Sequence, residues 1–107
     1  IVIEDYSFGA KGNSLTHLAE NMGILKAGLR IAFSAHTQIS VLAPTTVKKF
    51  ATGSGKADKD DMWRAFVTDF PEYKKWQLLC HPKAEKVGSP CADIADSYFL
   101  AKYMLKP

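Results

Sequence analysis

The chain has 107 residues, 47% of them hydrophobic, and a net charge of +3. That length holds one domain around one core and is too short for two. The basic excess, twelve lysines and two arginines against eleven acids, is too mild to single out nucleic acid by itself, and lysine suits sequence-blind phosphate contact better than base reading. No apolar run is long enough for a helix to span a bilayer, and no membrane partner is expected. No basic segment followed by an apolar stretch marks a secretory leader. Two cysteines, Cys80 and Cys91, are too few for a disulfide scaffold and make a reducing cytoplasm the default.

Ile1 to Ile3 is apolar and β-branched and reads as a buried strand closed by Glu4 and Asp5. An opening so deep inside a strand reads as the continuation of a longer protein. A glycine-bearing loop follows to Gly12, with Asn13 or Ser14 as the expected helix N-cap. Leu15, Leu18, Met22, Leu25, Leu29, Ala32 and Phe33 recur at spacings of three and four, which predicts a helix over 14–35. Gly23 and Gly28 inside it suggest close packing on a sheet. Gln38 to Ala43 reads as a second strand, stopped by Pro44. A short helix over 45–50, a turn over 52–55 and a helix over 56–70 come next; Trp63, Phe66 and Phe70 on that helix are expected in the core. Pro71 interrupts, 73–79 is ambiguous between helix and loop, and 81–90 reads as a loop. A last helix is expected over 92–105. The order is α/β. Two strands are too few for a sheet covered by three helices, which again points to strands lying upstream.

Three carboxylates draw attention. Glu4 ends a strand, and Asp93 and Asp96 are three apart at the start of the last helix. That spacing puts both aspartates on one helical face, about 5–6 Å apart at Cβ. If that face meets the strand end, three acids converge, and a hard divalent cation would relieve their repulsion. Two such ions about 3.5–4 Å apart would activate a water and stabilise the leaving oxygen of a phosphodiester. The plainer alternative stays open: Asp93 caps the helix, Asp96 favours its positive end, and Glu4 is solvated.

Three blocks resemble one family. Residues 3–12 (IEDYSFGAKG) look like the segment around the second catalytic acid of RuvC-type Holliday junction resolvases, especially their phage-encoded branch. Residues 43–59 (APTTVKKFATGSGKADK) resemble that family's strand, lysine pair and glycine-rich turn before a helix, and Asp93 to Tyr98 (DIADSY) resembles its final acidic pair. The blocks stand in the family's order and span most of the chain. The resemblance implies an RNase H-like three-layer α/β fold with a mixed central sheet, here lacking its first strands, so that 1–107 is the C-terminal portion of the nuclease domain. It implies a dimeric endodeoxyribonuclease, active in recombination, repair or phage DNA processing, that resolves four-way junctions by hydrolysis. Glu4, Asp93 and Asp96 would be its catalytic and metal-binding residues, with Mg²⁺ as cofactor and Mn²⁺ as substitute. Its setting would be the cytoplasm of a bacterial cell or a phage-infected host. The family's fourth carboxylate, an Asp on the first strand, has no counterpart here. The chain by itself is then expected to be inactive, and Asp5 is a poor substitute, because adjacent strand residues point to opposite faces.

Lys48, Lys49, Lys56 and Lys59 gather around the Gly53–Gly55 turn and suit a phosphate backbone, although Asp58, Asp60 and Asp61 are interleaved as on an ordinary solvated face. Lys11, in the loop after Glu4, is placed to meet the scissile phosphate, and Tyr6 and Phe8 to stack on an unpaired base, with a core role for Phe8 as the alternative. Tyr73 and Trp76 could face a partner. The resemblance puts the dimer contact on the long helix, where Ile24, Ile31 and Phe33 form a second apolar stripe. Cys80, His81 and Cys91 lack zinc-site spacing. Two other readings remain beside junction resolution: a related nuclease acting on other branched DNA, and a DNA-binding module without catalysis.

Overall fold

Among the described residues, two three-residue stretches become strand. In the computed structural model, which describes residues 1–5, 12–83 and 86–106, β1 is Val2–Glu4 and β2 is Ser40–Leu42. They pair in parallel with Val2 opposite Ser40, Ile3 opposite Val41 and Glu4 opposite Leu42. The ladder continues past both ends. The Ser40 amide donates to the Ile1 carbonyl at 2.9 Å, and the Asp5 amide to the Leu42 carbonyl at 2.7 Å. Parallel strands need a long crossover. Here it contains α1, Asn13–Ala32.

The helix starts one residue before the expected cap. Gly12, at φ 63°, occupies the N-cap in a left-handed conformation that glycine tolerates, and Asn13 is already helical. At the other end the Phe33 amide bonds back to the Leu29 carbonyl, and Arg30 Nη1 donates to the Thr37 carbonyl at 3.0 Å, tying the exit loop to the last turn. No residue of α1 is buried.

These elements form one compact unit, residues 1–44; residues 45–107 form a second, which is helical. Pro44 begins α2, Pro44–Thr52, because its fixed φ and missing amide suit a first helical turn. The expected stop after the second strand is thus a helix start. Next comes α3, Lys59–Asp69. Asp58 caps it by accepting from the Asp61 amide at 2.8 Å, while the Asp61 carboxylate accepts from the Asp58 amide at 3.1 Å. A 3-10 turn over Pro71–Tyr73 leads into α4, Lys74–Cys80, which resolves the ambiguous stretch as helix. Last is α5, Cys91–Leu105.

The core lies in this second unit. Met62, Trp63 and Phe66 of α3 pack on Ala92, Ala95 and Phe99 of α5, joined by Val47, Ala57, Val87 and Cys91. Ala95 is fully buried, and its small side chain lets the two helices approach closely. Phe70, expected in the core, is only half-buried; it stacks edge-on against Tyr98 with ring centres 5.0 Å apart. The loop over 81–90 has a structural role that its polar composition hides. It inserts Val87 into the core, and the Val87 amide donates to Asp60 Oδ1 at 2.7 Å.

The expected three-layer RNase H-like fold with a mixed central sheet is not what the chain forms. Helix accounts for 66% of the described residues, and the two parallel strands make one small sheet. The reason is local. The stretches at 1–3 and 38–43 supply the strands, whereas caps and apolar spacings of three and four favour helix elsewhere, and even the β-branched run Thr45 to Val47 lies in α2 behind Pro44.

Candidate phosphate and metal site

The acidic pair sits where α5 begins. Asp93 is in the first turn and exposed; Asp96 is one turn further on the same face and half-buried. Burial, then the neighbouring Asp93 charge, push the Asp96 carboxyl above its usual range, while Lys48 and Lys59 act in the opposite sense. Two carboxylates and two ammonium groups from three helices therefore share one electrostatic neighbourhood.

Local chemistry brings the lysines there. Lys48 lies in the second turn of α2 and is half-buried; Lys59 opens α3 and is exposed. The turn between these helices is held by short polar bonds. Thr52 Oγ1 donates to the Lys48 carbonyl at 2.9 Å and accepts from the Ser54 amide at 3.2 Å, and Ser54 Oγ accepts from the Lys56 amide at 3.2 Å. Gly53 takes φ 87°, which only glycine adopts readily. Gly55 lies against Thr45; an added Cβ would stand 3.5 Å from its carbonyl oxygen. Lys49 and Lys56 are exposed on the same segment, but they are not among the charges that act on Asp96.

Glu4 is the last residue of β1, opposite Leu42 and half-buried. It belongs to the first unit, and Asp93 and Asp96 to the second. Among the described residues, no group of three or more His, Cys, Asp or Glu side chains is assembled that could hold a metal ion. Tyr6, Phe8 and Lys11 lie outside the described residues. Two carboxylates with open solvent beside them do suit Mg²⁺, which takes one or two protein carboxylates and fills its shell with water and substrate phosphate.

A wide cleft lies elsewhere. About 690 Å³ opens among α2, α3 and α5, lined by Phe50, Thr52, Arg64, Asp69, Phe99 and Lys102 among others. Its acids are matched internally: Arg64 Nη2 lies 3.2 Å from Asp61 Oδ1, and Lys102 Nζ 2.6 Å from Asp69 Oδ2, which also accepts from the Tyr98 hydroxyl at 2.7 Å. The Lys102 and Tyr98 hydrogen bonds hold the Asp69 carboxyl below its usual range. These charges are balanced within the protein, whereas Asp96 is raised chiefly by its burial and then by Asp93, with Lys48 and Lys59 acting against them. The Tyr98–Asp69–Lys102 group was not legible in the sequence, because Asp69 and Lys102 stand 33 positions apart. Neither was the aromatic pocket formed by Phe66, Phe70, Tyr73, Trp76 and Tyr98 with Ile94.

No family model, curated protein or solved structure matches the chain.

Proposed function

We propose that the chain is part of a metal-dependent endodeoxyribonuclease acting on branched DNA, four-way junctions above all. The support is the motif resemblance to RuvC-type resolvases together with one observation: the half-buried Asp96, paired with Asp93 on one face of α5, is flanked by Lys48 and Lys59. In this reading Asp93 and Asp96 hold Mg²⁺ or Mn²⁺, and the resemblance adds Glu4 as a further ligand. When bound there, such an ion would supply Lewis-acid chemistry, the acidification of a water and charge relief at the leaving oxygen. Lys48 and Lys59 draw in the phosphodiester and offset its charge beside the carboxylates; Lys49 and Lys56 extend the basic surface along the DNA backbone. The active form is a homodimer joined through α1, which presents one site to each of two symmetry-related strands.

A second reading, DNA binding without cleavage, rests on the lysines of α2 and the following turn alone. One experiment separates the two. Mn²⁺ binding is followed by the paramagnetic broadening of side-chain resonances, and DNA binding by titration with a four-way junction and with linear duplex at several salt concentrations. The nuclease reading expects Mn²⁺ to broaden the Asp93 and Asp96 signals, Asp96→Asn to weaken the metal at least tenfold without weakening junction binding, and the junction to be preferred over duplex. Lys48→Ala with Lys49→Ala then flattens the salt dependence. If Asp96→Asn leaves metal affinity unchanged, the pair is no metal site and only the second reading survives. If the salt slope is also unchanged by the lysine substitutions, neither does.

A further inference from the structure

Five aromatic side chains and Ile94 line a cavity of about 330 Å³ in the second unit. Phe66 of α3 is buried there; Phe70, Tyr73, Ile94 and Tyr98 are half-buried, and Trp76 of α4 is 41% exposed. The rings touch in a continuous chain. Ring centres lie 4.9 Å apart from Trp76 to Tyr73, 6.1 Å from Tyr73 to Phe70 and 5.0 Å from Phe70 to Tyr98. Along that chain each ring stands across the next, at 87°, 70° and 78°. Local sequence explains the arrangement. Pro71 opens the 3-10 turn directly behind α3, as its fixed φ and missing amide allow. The Phe70 amide donates to the Phe66 carbonyl at 2.9 Å and the Tyr73 amide to the Phe70 carbonyl at 3.1 Å, which sets the three rings on successive turns. Trp76 follows in α4, and α5 adds Ile94 and Tyr98, four apart and so on one helical face.

We propose that this cavity is a binding site for the quaternary ammonium head group of a small molecule, a trimethylammonium cation of the choline type. Size bears on it first. Small-molecule sites span roughly 300–1,000 Å³, so this one has room for a head group and a few attached atoms. Ring orientation comes next. A planar ligand such as a base stacks between parallel faces, whereas walls crossed at 70–87° surround a compact, near-spherical group. Wall chemistry completes the case. A trimethylammonium offers no donor for a hydrogen bond, and ring faces, negative by their quadrupole, are what attract it. Among the described residues no charged side chain lines the cavity, so no lysine or arginine competes for those faces from within. The Tyr98 hydroxyl donates to Asp69 Oδ2 at 2.7 Å, which moves electron density toward its ring. Rings of this chain already hold cations: Lys102 Nζ lies 5.6 Å from the Tyr98 ring centre and Lys106 Nζ 3.9 Å from that of Tyr103. Lys102 lines the neighbouring cleft, and Asp69, 2.6 Å away, offsets its charge against a second cation.

This proposal does not rest on the nuclease reading. To test it, the full chain is titrated with choline at constant ionic strength, and in parallel with choline's neutral tert-butyl isostere, which keeps the shape without the charge. Ring currents shift the methyl proton resonance of whichever ligand enters the cavity. Choline is expected to bind at least about fivefold tighter than the isostere, the factor that a cation over ring faces supplies. Equal affinities would make the cavity a plain apolar pocket, and the absence of any saturable choline shift would remove the site; either result overturns the proposal. Trp76→Leu, at the exposed ring, should weaken choline at least about threefold, leave the isostere within about twofold and keep the parent's circular dichroism. Tyr73→Leu makes the same comparison if the first variant does not fold. A folded variant that weakens both ligands equally shows filling by shape alone and sinks the charge recognition. A peptide carrying trimethyllysine is the last arm. If it binds more than about tenfold tighter than choline, the head group arrives on a protein chain and the small-molecule assignment is wrong.

Discussion

Half-burial beside Asp93 gives Asp96 a carboxyl that ionises at a cost in stability. Its native pKa is raised, chiefly by burial and then by Asp93, so the native state holds the proton more tightly than the unfolded chain does. Stability from this group is therefore at its fullest below the ordinary carboxylate pKa, about 3.9, and declines as pH rises through the higher native value. Asp69 has the opposite sense: its lowered pKa adds stability above the ordinary value that is lost as pH falls through the native one. Asp96→Asn leaves the Asp69 contribution in place. Denaturant unfolding of parent and variant at pH 3 and pH 7 should therefore show near-equal stability in acid and a more stable variant at neutrality. The gain should be under about 1 kcal/mol, because solvent screens a half-exposed carboxylate. A gap that does not widen with pH would mean that Asp96 is well solvated. A carboxylate kept where it destabilises the native state is the pattern expected of a residue held for chemistry.

Two elements carry most of the packing in the second unit. Ala92, Ala95 and Phe99 recur on α5 at three and four, and Met62, Trp63 and Phe66 meet them from α3. Ala95 is fully buried where the helices come together, so a larger side chain has nowhere to go. Ala95→Leu should cost about 1–3 kcal/mol through overpacking. Ala101→Leu, on the exposed side of the same helix, should change stability by under about 0.5 kcal/mol. Unfolding midpoints of the two variants check this, and equal effects would show that α5 does not pack through its Ala95 face. The caps that fix α3, Asp58 and Asp61, stood in the sequence only as charges on a solvated face, and their reciprocal bonding emerges only from the folded backbone.

At the scale of the molecule, α1 stands out: twenty residues long with none buried, it leaves Ile24 at 72% and Ile31 at 87% exposed. Large apolar side chains exposed together mark a surface suited to association. If the homodimer forms there, Ile24→Lys with Ile31→Lys should convert it to monomer without loss of helix content, as read by light scattering and circular dichroism. A variant with the parent's mass in solution would move the contact off α1. No helix of the chain is long and apolar enough to cross a membrane among the described residues.

By itself, the sequence determined the local features. Apolar spacing placed α1, α3 and α5 but left α4 open, short β-branched stretches placed both strands, and Gly53 marked the turn, because each depends on residues within a few positions of one another. The spacing of Asp93 and Asp96 likewise fixes them on one helical face, whatever that helix packs against. What only the tertiary structure decided was which of these features meet. The lysines of α2 and α3 reach Asp96, Tyr98 and Lys102 close on Asp69, and two short strands pair without becoming the larger sheet that the motif resemblance implied. Such meetings depend on packing between distant segments, and packing is set by volume and burial rather than by the order of residues along the chain.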